Sequence, residues 1–270
     1  MTASGRLVVC PTPIGNLEDV TLRVLSALRE ADVVACEDTR RTRVLLDRYG
    51  VKAKLVSYHE HNERARASEL VDLMQGGSVV ALVSDAGMPL VSDPGFVLVQ
   101  ACVAAGLAVE VLPGPSAALA ALVASALPAE TWRFVGFLPR KPSAELFAGT
   151  DTVVAFESPH RLGASLAALA AVDPERPAVV CRELTKLHEE VVRGTAAELA
   201  ARYSEDEPKG EVVLVVGGAP EPVKGEVPPE ALDALRRLVA AGARSRDAAG
   251  VVSDLTGVSK NALHRALDEN

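Results

Sequence analysis

The chain has 270 residues, 49% of them hydrophobic, so it can bury a large core and is not disordered throughout. Its 28 basic residues are outnumbered by 36 acidic ones, and the net charge of −8 excludes a protein coated in positive charge. Aromatic residues make up 3% of the chain, too few for a platform on which nucleic-acid bases stack. A nucleic-acid substrate in a local basic cleft stays compatible with these numbers.

The sequence predicts a cytoplasmic protein. No basic region followed by a long apolar run stands near the N-terminus, so no secretory signal is expected. The longest apolar stretch, residues 101–112, is interrupted by Glu110 and is shorter than the ~20 residues that span a bilayer. The cysteines never form a CxxC pair, which predicts buried, reduced thiols rather than zinc ligands or disulfides. They are Cys10, Cys36, Cys102 and Cys181.

The first part of the chain alternates apolar strands with helices. Strands are predicted at residues 6–11, 32–36, 54–58, 79–83 and 108–112, and helices at 21–30, 39–49, 62–74 and 96–105. Strands that are apolar along their whole length are typical of a parallel sheet buried on both faces. The alternation predicts a doubly wound α/β domain over residues 1–113.

A second series follows a predicted alanine-rich helix at residues 117–126. Strands are predicted at 132–137, 152–156, 178–182 and 211–217, and helices at 159–171 and 195–203. The fold class is therefore predicted to be α/β, with two domains of mainly parallel sheet, the second at 114–218. A Gly- and Pro-rich linker is expected at 219–229, before a helical tail at 230–270.

The tail contains a pattern typical of a helix-turn-helix. Residues 244–267 predict a helix, a turn at Thr256-Gly257 and a second helix from about Ser259. A nucleic-acid-docking module and a packing or dimer element are both compatible with this pattern.

Three loops at the carboxyl ends of predicted strands have unusual compositions, and ligands of open α/β sheets bind at that edge. They are residues 10–16 (CPTPIGN), 84–95 (SDAGMPLVSDPG) and 113–122 (PGPSAALAAL). The first loop lacks the GxGxxG and GK[ST] patterns, which counts against NAD, FAD and ATP. The second is longer than a chain reversal needs, so we interpret it as a binding loop rather than a set of Asx turns. Ser116 in the third could equally be a plain helix N-cap.

Together these loops and further segments carry a resemblance to a known family. The matching segments run from residue 12 to residue 216: TPIGNLEDVTLR, CEDTRRTRVLL, SYHEHNE, ALVSDAGMPLVSDPG, VLPGPSA, GFLPRK, FESPHRL, CRELTKLHEE and GEVVLVV. The chain resembles the tetrapyrrole methylase superfamily, S-adenosylmethionine enzymes of two α/β domains with the cofactor in the cleft between them. Ser84-Asp85-Ala86 stands where the porphyrin methylases have Gly-Asp-Pro, which favours the RNA branch of the superfamily.

The resemblance implies S-adenosylmethionine-dependent 2′-O-methylation of a cytidine ribose in small-subunit (16S) ribosomal RNA. It also implies a homodimer with this RNA as its partner, expected in the assembled subunit, although the sequence does not decide between the subunit and free RNA. Two alternatives stay open: a porphyrin or precorrin C-methyltransferase on the same scaffold, and a non-enzymatic nucleic-acid-binding regulator acting through the tail.

The resemblance further implies which residues bind the cofactor. They come from the three loops and from the strand ends of the second domain. They are Pro13, Ser84, Asp85, Ala86, Gly87, Met88, Ser116, Ala117, Phe156, Glu157 and Gly210.

A basic segment indicates where an RNA substrate would bind. Residues 38–66 contain eight basic and four acidic side chains, a local net charge of +4. Phosphate contacts need such a patch, although a solvated helix face with ion pairs has the same composition. The substrate-binding candidates are Arg40, Arg41, His59, Arg140, Lys141, His160, Arg161 and Arg182. His59 and His61 flank Glu60 without a third ligand at metal-binding spacing, so no metal site is predicted.

The chemistry implied by the resemblance needs help from the protein, because a ribose hydroxyl is a poor nucleophile. A general base, or a field that favours the alkoxide, would accelerate methyl transfer. The catalytic candidates are Glu37, Asp38, Glu183 and Lys186, because they close predicted strands, and the sequence does not choose among them.

Overall fold

The computed structural model describes residues 5–205, 207–219 and 227–268. The chain forms two compact units, which divide between Ala219 and Pro220. No helix in the described part of the chain is both long and apolar enough to cross a membrane.

The first sheet is parallel throughout, with strand order β3-β2-β4-β1-β5. Its strands are β1 (Arg6–Cys10), β2 (Val33–Cys36), β3 (Leu55–Ser57), β4 (Val79–Val83) and β5 (Ala108–Val111). The helices between them are α1 (Leu22–Glu30), α2 (Thr39–Arg48), α3 (Glu63–Gln75) and α4 (Phe96–Ala104). All five carboxyl ends therefore meet at one edge of the sheet.

Apolar residues on both faces of β1, β2 and β4 explain why this sheet is covered by helices on each side. Leu7 and Leu82 face one buried cluster, while Val8 and Ala81 face the other. The prediction of a doubly wound sheet is confirmed for these central strands. β5 differs because it lies at the sheet edge, where Val111 is 58% exposed.

The second sheet has the order β6-β7-β10-β8-β9 and is mixed. Its strands are β6 (Trp132–Phe137), β7 (Thr152–Glu157), β8 (Pro177–Arg182), β9 (Glu190–Thr195) and β10 (Val212–Val216). The helices of this half are α5 (Ala117–Ser125), α6 (Pro159–Val172) and α7 (Ala196–Glu205). Both sheets belong to one compact unit, so a domain boundary near residue 113 stays a prediction.

Strand direction in the second sheet differs from the mainly parallel arrangement expected. Only β6 and β7 pair in parallel, and the other three pairings are antiparallel. No strand is predicted from the sequence at Glu190–Thr195, yet β9 forms there and pairs with β8 across a short loop. A loop of that length can only join antiparallel neighbours, because a parallel crossover needs a dozen residues or more.

In residues 227–268, the described part of the second unit, three helices surround a small core. They are α8 (Pro229–Ala240), α9 (Ser245–Thr256) and α10 (Lys260–Asp268). Leu235, Val252 and Leu263, one from each helix, are buried together. Gly257, with φ of +72°, ends α9 in the left-handed conformation and allows the turn to α10.

Two helical glycines allow a matched stability test. A Cβ at Gly163 in α6 would lie 2.3 Å from the backbone oxygen of Tyr203, so α6 and α7 pack too closely for a methyl group. We expect Gly163→Ala to lower the free energy of unfolding of the first unit by about 1–3 kcal/mol through overpacking. Gly250→Ala in α9 meets only ordinary contacts, and helix propensity should stabilise that unit by up to about 1 kcal/mol.

Thermal unfolding of the two variants beside the wild type measures both effects. Equal changes of the same sign would contradict the close approach of α6 to α7.

Candidate active site

A cavity of about 280 Å³ lies where the carboxyl edge of the first sheet meets the second sheet. Apolar side chains form most of its wall, with a few polar groups among them. The lining residues from the first half of the compact unit, up to the start of α5, are Ile14, Ala86, Gly87, Met88, Val91, Ser92, Asp93, Ser116 and Ala117. Those from the second half are Phe137, Phe156, Glu157, Ser158, Pro159, Cys181, Leu184, Gly210, Glu211, Val212 and Val213.

A backbone bridge joins the loop at residues 10–16 to the loop at residues 84–95. Thr12 and Gly87 exchange two backbone hydrogen bonds of 2.9 Å. The Thr12 hydroxyl donates to the carbonyl oxygen of Ser84 at 3.0 Å, and the Ser84 hydroxyl donates to that of Gly87 at 3.0 Å. Gly87 has φ of +79°, a conformation that favours glycine. The bridge therefore holds Ile14 and residues 86–88 at the cavity wall.

The second half of the 84–95 loop carries backbone strain. Leu90 and Ser92 have φ of +73° and +65°, which side-chain-bearing residues rarely adopt. Gly95, with φ of +139°, then leads into α4. This path places Asp93 half-buried in the cavity wall. The pKa of the Asp93 carboxyl is raised to about 7, first by burial and then by the charges of Glu37 and Asp85, while the Ser84 hydroxyl opposes the rise.

The junction between the two sheets is closely packed. Ser116 caps α5 by accepting the N–H of Leu119 at 3.5 Å, which confirms the N-cap interpretation, and it also lines the cavity. The N–H of Asn16 donates to the Thr185 hydroxyl at 3.1 Å. A Cβ at Gly15 would lie 2.4 Å from Cγ of Lys186, so only glycine allows this approach.

The second sheet contributes an aromatic group and a buried carboxylate. Phe156 packs edge to face against Phe134 and Phe137, with ring centroids 4.9 and 5.4 Å apart. Glu157 is fully buried and pairs with Arg161 at 2.6 Å. It also accepts hydrogen bonds from the Ser158 N–H and the Ser165 hydroxyl, so its oxygens are already engaged.

The predicted cofactor residues fall into two groups. Eight of them line the cavity: Ala86, Gly87, Met88, Ser116, Ala117, Phe156, Glu157 and Gly210. Pro13, Ser84 and Asp85 lie outside the lining set. Ser84 supports the backbone bridge, and Asp85 accepts the N–H of Asp38 at 3.0 Å and pairs with Arg41 at 3.5 Å.

The two catalytic candidates on the first sheet have different acidities. Asp38 caps α2 and pairs with Arg40 at 2.7 Å, and this hydrogen bonding lowers its pKa to about 2. A carboxylate so stabilised is a weak base. Burial, followed by the charge of Asp85, raises the pKa of Glu37 instead.

The two candidates on the loop between β8 and β9 pair with each other. Lys186 Nζ lies 2.8 Å from Glu183 and 2.8 Å from Glu211. The hydrogen bond from Lys186 lowers the pKa of Glu183. Burial would lower the pKa of Lys186, but its hydrogen bonds to Glu183 and Glu211 outweigh burial and raise it. Glu183 and Thr185 both have positive φ, so this ion-paired loop is strained.

Most predicted substrate-binding cations already have anionic partners. Arg40 pairs with Asp38, Arg41 with Asp85, His160 with Glu207, Arg161 with Glu157 and Arg182 with Glu190. Arg140 and Lys141 are exposed and have no ion-pair partner among the described residues. His59 accepts the side-chain N–H of Asn62 at Nε2, 3.2 Å away, while its buried Nδ1 has no partner within the described chain.

The fold divides the basic segment 38–66 between two edges of the first sheet. Arg40, Arg41 and Arg43 lie near the start of α2, and Arg64 and Arg66 near the start of α3. Both helices begin at the carboxyl edge, where the cavity lies. Arg48 in the last turn of α2, with Lys52 and Lys54 before β3, lies toward the opposite edge. Only part of the +4 segment can therefore face a ligand at the cavity.

Several lining residues were not predicted. Ser92 and Asp93 stand inside the loop that sequence analysis selected, so loop position was an available signal. Phe137 lies in the FLPRK segment and Leu184 in the CRELTK segment, so both could have been found in the same way. Val212 and Val213 could not, because they reach the cavity only through the antiparallel direction of β10.

Comparison with known proteins supports a single family. Residues 6–200 match the family described as Tetrapyrrole (Corrin/Porphyrin) Methylases. A relative from Mesorhizobium japonicum, named ribosomal RNA small subunit methyltransferase I, is 48% identical over 97% of this chain and 91% of its own length.

Solved structures share the fold. Uroporphyrin-III-C-methyltransferase from Thermus thermophilus is 27% identical, with a TM-score of 0.60 over 79% of this chain and 94% of that chain. A structure of the Thermus thermophilus enzyme complexed with S-adenyl homocysteine is 22% identical, with a TM-score of 0.58 over 79% and 97%. The family match over most of the chain and this agreement in fold lead to one conclusion: the chain belongs to the tetrapyrrole (corrin/porphyrin) methylase family.

Proposed function

We propose that this protein transfers a methyl group from S-adenosylmethionine to the ribose 2′-hydroxyl of a cytidine in small-subunit (16S) ribosomal RNA. The observation that carries the proposal is a nucleoside-sized cavity at the sheet edge from which two arginine-bearing helices, α2 and α3, begin. The name of the Mesorhizobium japonicum relative supports the choice of small-subunit RNA. Ser84-Asp85-Ala86 and the basic helix starts favour RNA over a porphyrin or precorrin.

The cavity residues fit S-adenosylmethionine. Ile14, Met88, Phe156 and Leu184 offer apolar surface for an adenine ring and for the methionine chain. Ser116 and the backbone of residues 86–88 offer hydrogen-bonding groups. The carboxylate of Glu211 in the cavity wall suits a ligand with a cationic centre.

The protein contributes positioning and proton handling. S-adenosylmethionine, when bound, supplies a methyl group on an electrophilic sulfonium. The backbone bridge between Thr12 and Gly87 holds one cavity wall rigid, and the contact of Asn16 with Thr185 holds the two halves together. Rigid walls favour in-line alignment of the acceptor oxygen with the methyl carbon, and such alignment can strongly accelerate the transfer.

The RNA would bind by its phosphates beside the cavity. Arg43 and Arg64 are exposed near the starts of α2 and α3 and have no ion-pair partner in the described residues, so both are free for phosphate. Arg43 lies in the first half of α2, the helix that follows the carboxyl end of β2. Arg140 and Lys141 are further exposed cations.

Three further properties belong to the proposal. We propose a homodimer, because the family resemblance implies one. We propose that the assembled small subunit is the form of the RNA that is methylated. The four buried, reduced cysteines support a cytoplasmic location, where thiols stay reduced.

The proposed function is tested by methyl transfer to defined RNA. Purified protein is incubated with S-adenosylmethionine and either free 16S RNA or assembled small subunits from cells that lack the protein. Mass mapping of nuclease fragments should locate one new 2′-O-methylcytidine, with faster transfer to the subunit. A methyl group on a base, or no transfer to either substrate, would contradict the proposal.

Removing the aromatic wall should weaken cofactor binding. We expect Phe156→Ala to raise the dissociation constant for S-adenosylmethionine about 10- to 100-fold, because a large apolar contact is lost. Phe156→Leu keeps part of that surface and should have a smaller effect. Calorimetry measures both, with Phe96→Ala as the control, since Phe96 is exposed and does not line the cavity. Unchanged affinity in Phe156→Ala would place the cofactor elsewhere.

The basic residues 38–66 lie at two opposite edges of the first sheet, which allows a test of where the RNA binds. The double variant Arg43→Ala/Arg64→Ala should weaken binding to small-subunit RNA about 3- to 10-fold and reduce the salt dependence by roughly one to two phosphate contacts. Lys52→Ala/Lys54→Ala removes the same charge from the opposite sheet edge and should bind nearly as the wild type does. Binding measured at several salt concentrations separates the two, and equal losses would contradict an RNA site at the cavity edge.

A further inference from the structure

Three carboxylates line the cavity, and two of them are already engaged. Glu157 is fully buried and holds Arg161, Ser158 and Ser165. Glu211 pairs with Lys186 at 2.8 Å and its side chain is 66% exposed. Asp93 is the third, and it has no ion-pair partner among the residues that the structure describes. Among the described residues it is therefore the cavity carboxylate that no cation holds, so it can accept a proton from a ligand.

The backbone around Asp93 is built to hold it in this position. Leu90 and Ser92 both have positive φ, and Ser92 lines the cavity beside Asp93. Backbone strain of this kind persists only where the surrounding structure imposes it. A Cβ at Gly95 would lie 2.7 Å from the Leu90 side chain, so the turn is also tightly packed.

We propose that Asp93 is the general base that contacts the ribose 2′-hydroxyl and accepts its proton during methyl transfer. The inference rests on the proposed function and adds the catalytic group that sequence analysis left undecided. In the balanced step, the 2′-oxygen forms a bond to the methyl carbon and its proton passes to an Asp93 oxygen. The carbon–sulfur bond breaks, and its electron pair stays on sulfur, which becomes a neutral thioether.

The charged groups around Asp93 suit a base that works near neutral pH. Glu37 follows β2 and Asp85 follows β4, and both negative charges act on Asp93. Asp38, Arg40 and Arg41 stand at the start of α2, and His59 follows β3. Arg40 pairs with Asp38 and Arg41 pairs with Asp85, so neither arginine forms an ion pair with Asp93. With a pKa of about 7, Asp93 is ionised enough to accept a proton and basic enough to hold it.

The other catalytic candidates are less suited to this step. Arg40 lowers the pKa of Asp38 to about 2, and Lys186 lowers that of Glu183. Lys186 has a raised pKa and is held as a cation by two carboxylates. Glu37 keeps a raised pKa but does not line the cavity, so it acts on Asp93 rather than on a ligand.

The test compares Asp93→Asn with the wild type in single-turnover methylation of assembled small subunits at several pH values. The wild-type rate should rise about tenfold per pH unit below a pH of about 7 and then level off. Asp93→Asn should be at least about 100-fold slower and lose this pH dependence, the usual cost of removing a general base. Its affinity for S-adenosylmethionine, measured by calorimetry, should stay within about threefold, which separates lost chemistry from lost binding.

Thermal unfolding supplies a readout that does not depend on activity. Below its ordinary pKa of 3.8, Asp93 is protonated in both the folded and the unfolded state and does not affect stability. As pH rises from 3.8 to about 7, the unfolded state loses this proton more readily than the folded state, so the free energy of unfolding falls. Asparagine carries no such penalty, so Asp93→Asn should raise the unfolding temperature at pH 8 and have little effect near pH 4. Asp72→Asn is the matched control, because Asp72 is exposed on α3 and should show neither effect.

Each outcome has a distinct meaning. A slow, pH-independent Asp93→Asn with intact cofactor affinity supports the inference. A variant that methylates at the wild-type rate, or that is slow but keeps the wild-type pH dependence, overturns it while leaving the proposed function standing. A wild-type protein that transfers no methyl group to small-subunit RNA overturns the proposed function itself.

Discussion

The short backbone bridge between Thr12 and Gly87 is the constraint on which the candidate site depends. Two 2.9 Å hydrogen bonds join loops that follow β1 and β4, neighbours in a parallel sheet whose carboxyl ends share one edge. Because the bridge fixes both loops, Ile14 and Met88 line the cavity on one side. The remainder of the 84–95 loop is then forced through strained conformations toward Asp93. The Thr12–Gly87 contact thus helps to position both the cavity wall and Asp93, the proposed base.

The second sheet completes the cavity by a different arrangement. β10 runs antiparallel between β7 and β8, so its first residues meet the last residues of its neighbours. Glycine, glutamate and valine from residues 210–213 therefore stand beside Phe156 and Glu157. A wholly parallel sheet would have placed residues 210–213 at the far edge. The ion-paired loop between β8 and β9 then reaches the first half at Gly15 and Asn16, where no larger residue than glycine fits at position 15.

Electrostatics at the site is arranged by helix position more than by total charge. The chain carries a net charge of −8, yet the starts of α2 and α3 place arginines beside the cavity. Two of these arginines form ion pairs: Arg40 with Asp38 and Arg41 with Asp85. Both carboxylates also follow strand ends. The same edge thus holds negative charge inside the cavity and positive charge around it. A cationic cofactor and a polyanionic substrate need these two environments side by side.

Sequence alone determined the apolar strands, the helices between them and the loops that carry the site, because periodicity and turn residues are local properties. It selected residues 84–95, and eight of eleven cofactor candidates line the cavity. Only the tertiary structure decided the direction of β10, the existence of β9 and the separation of Lys52 and Lys54 from Arg43. It also distinguished Asp93 from the other carboxylates, since burial and ion pairing depend on residues distant in sequence.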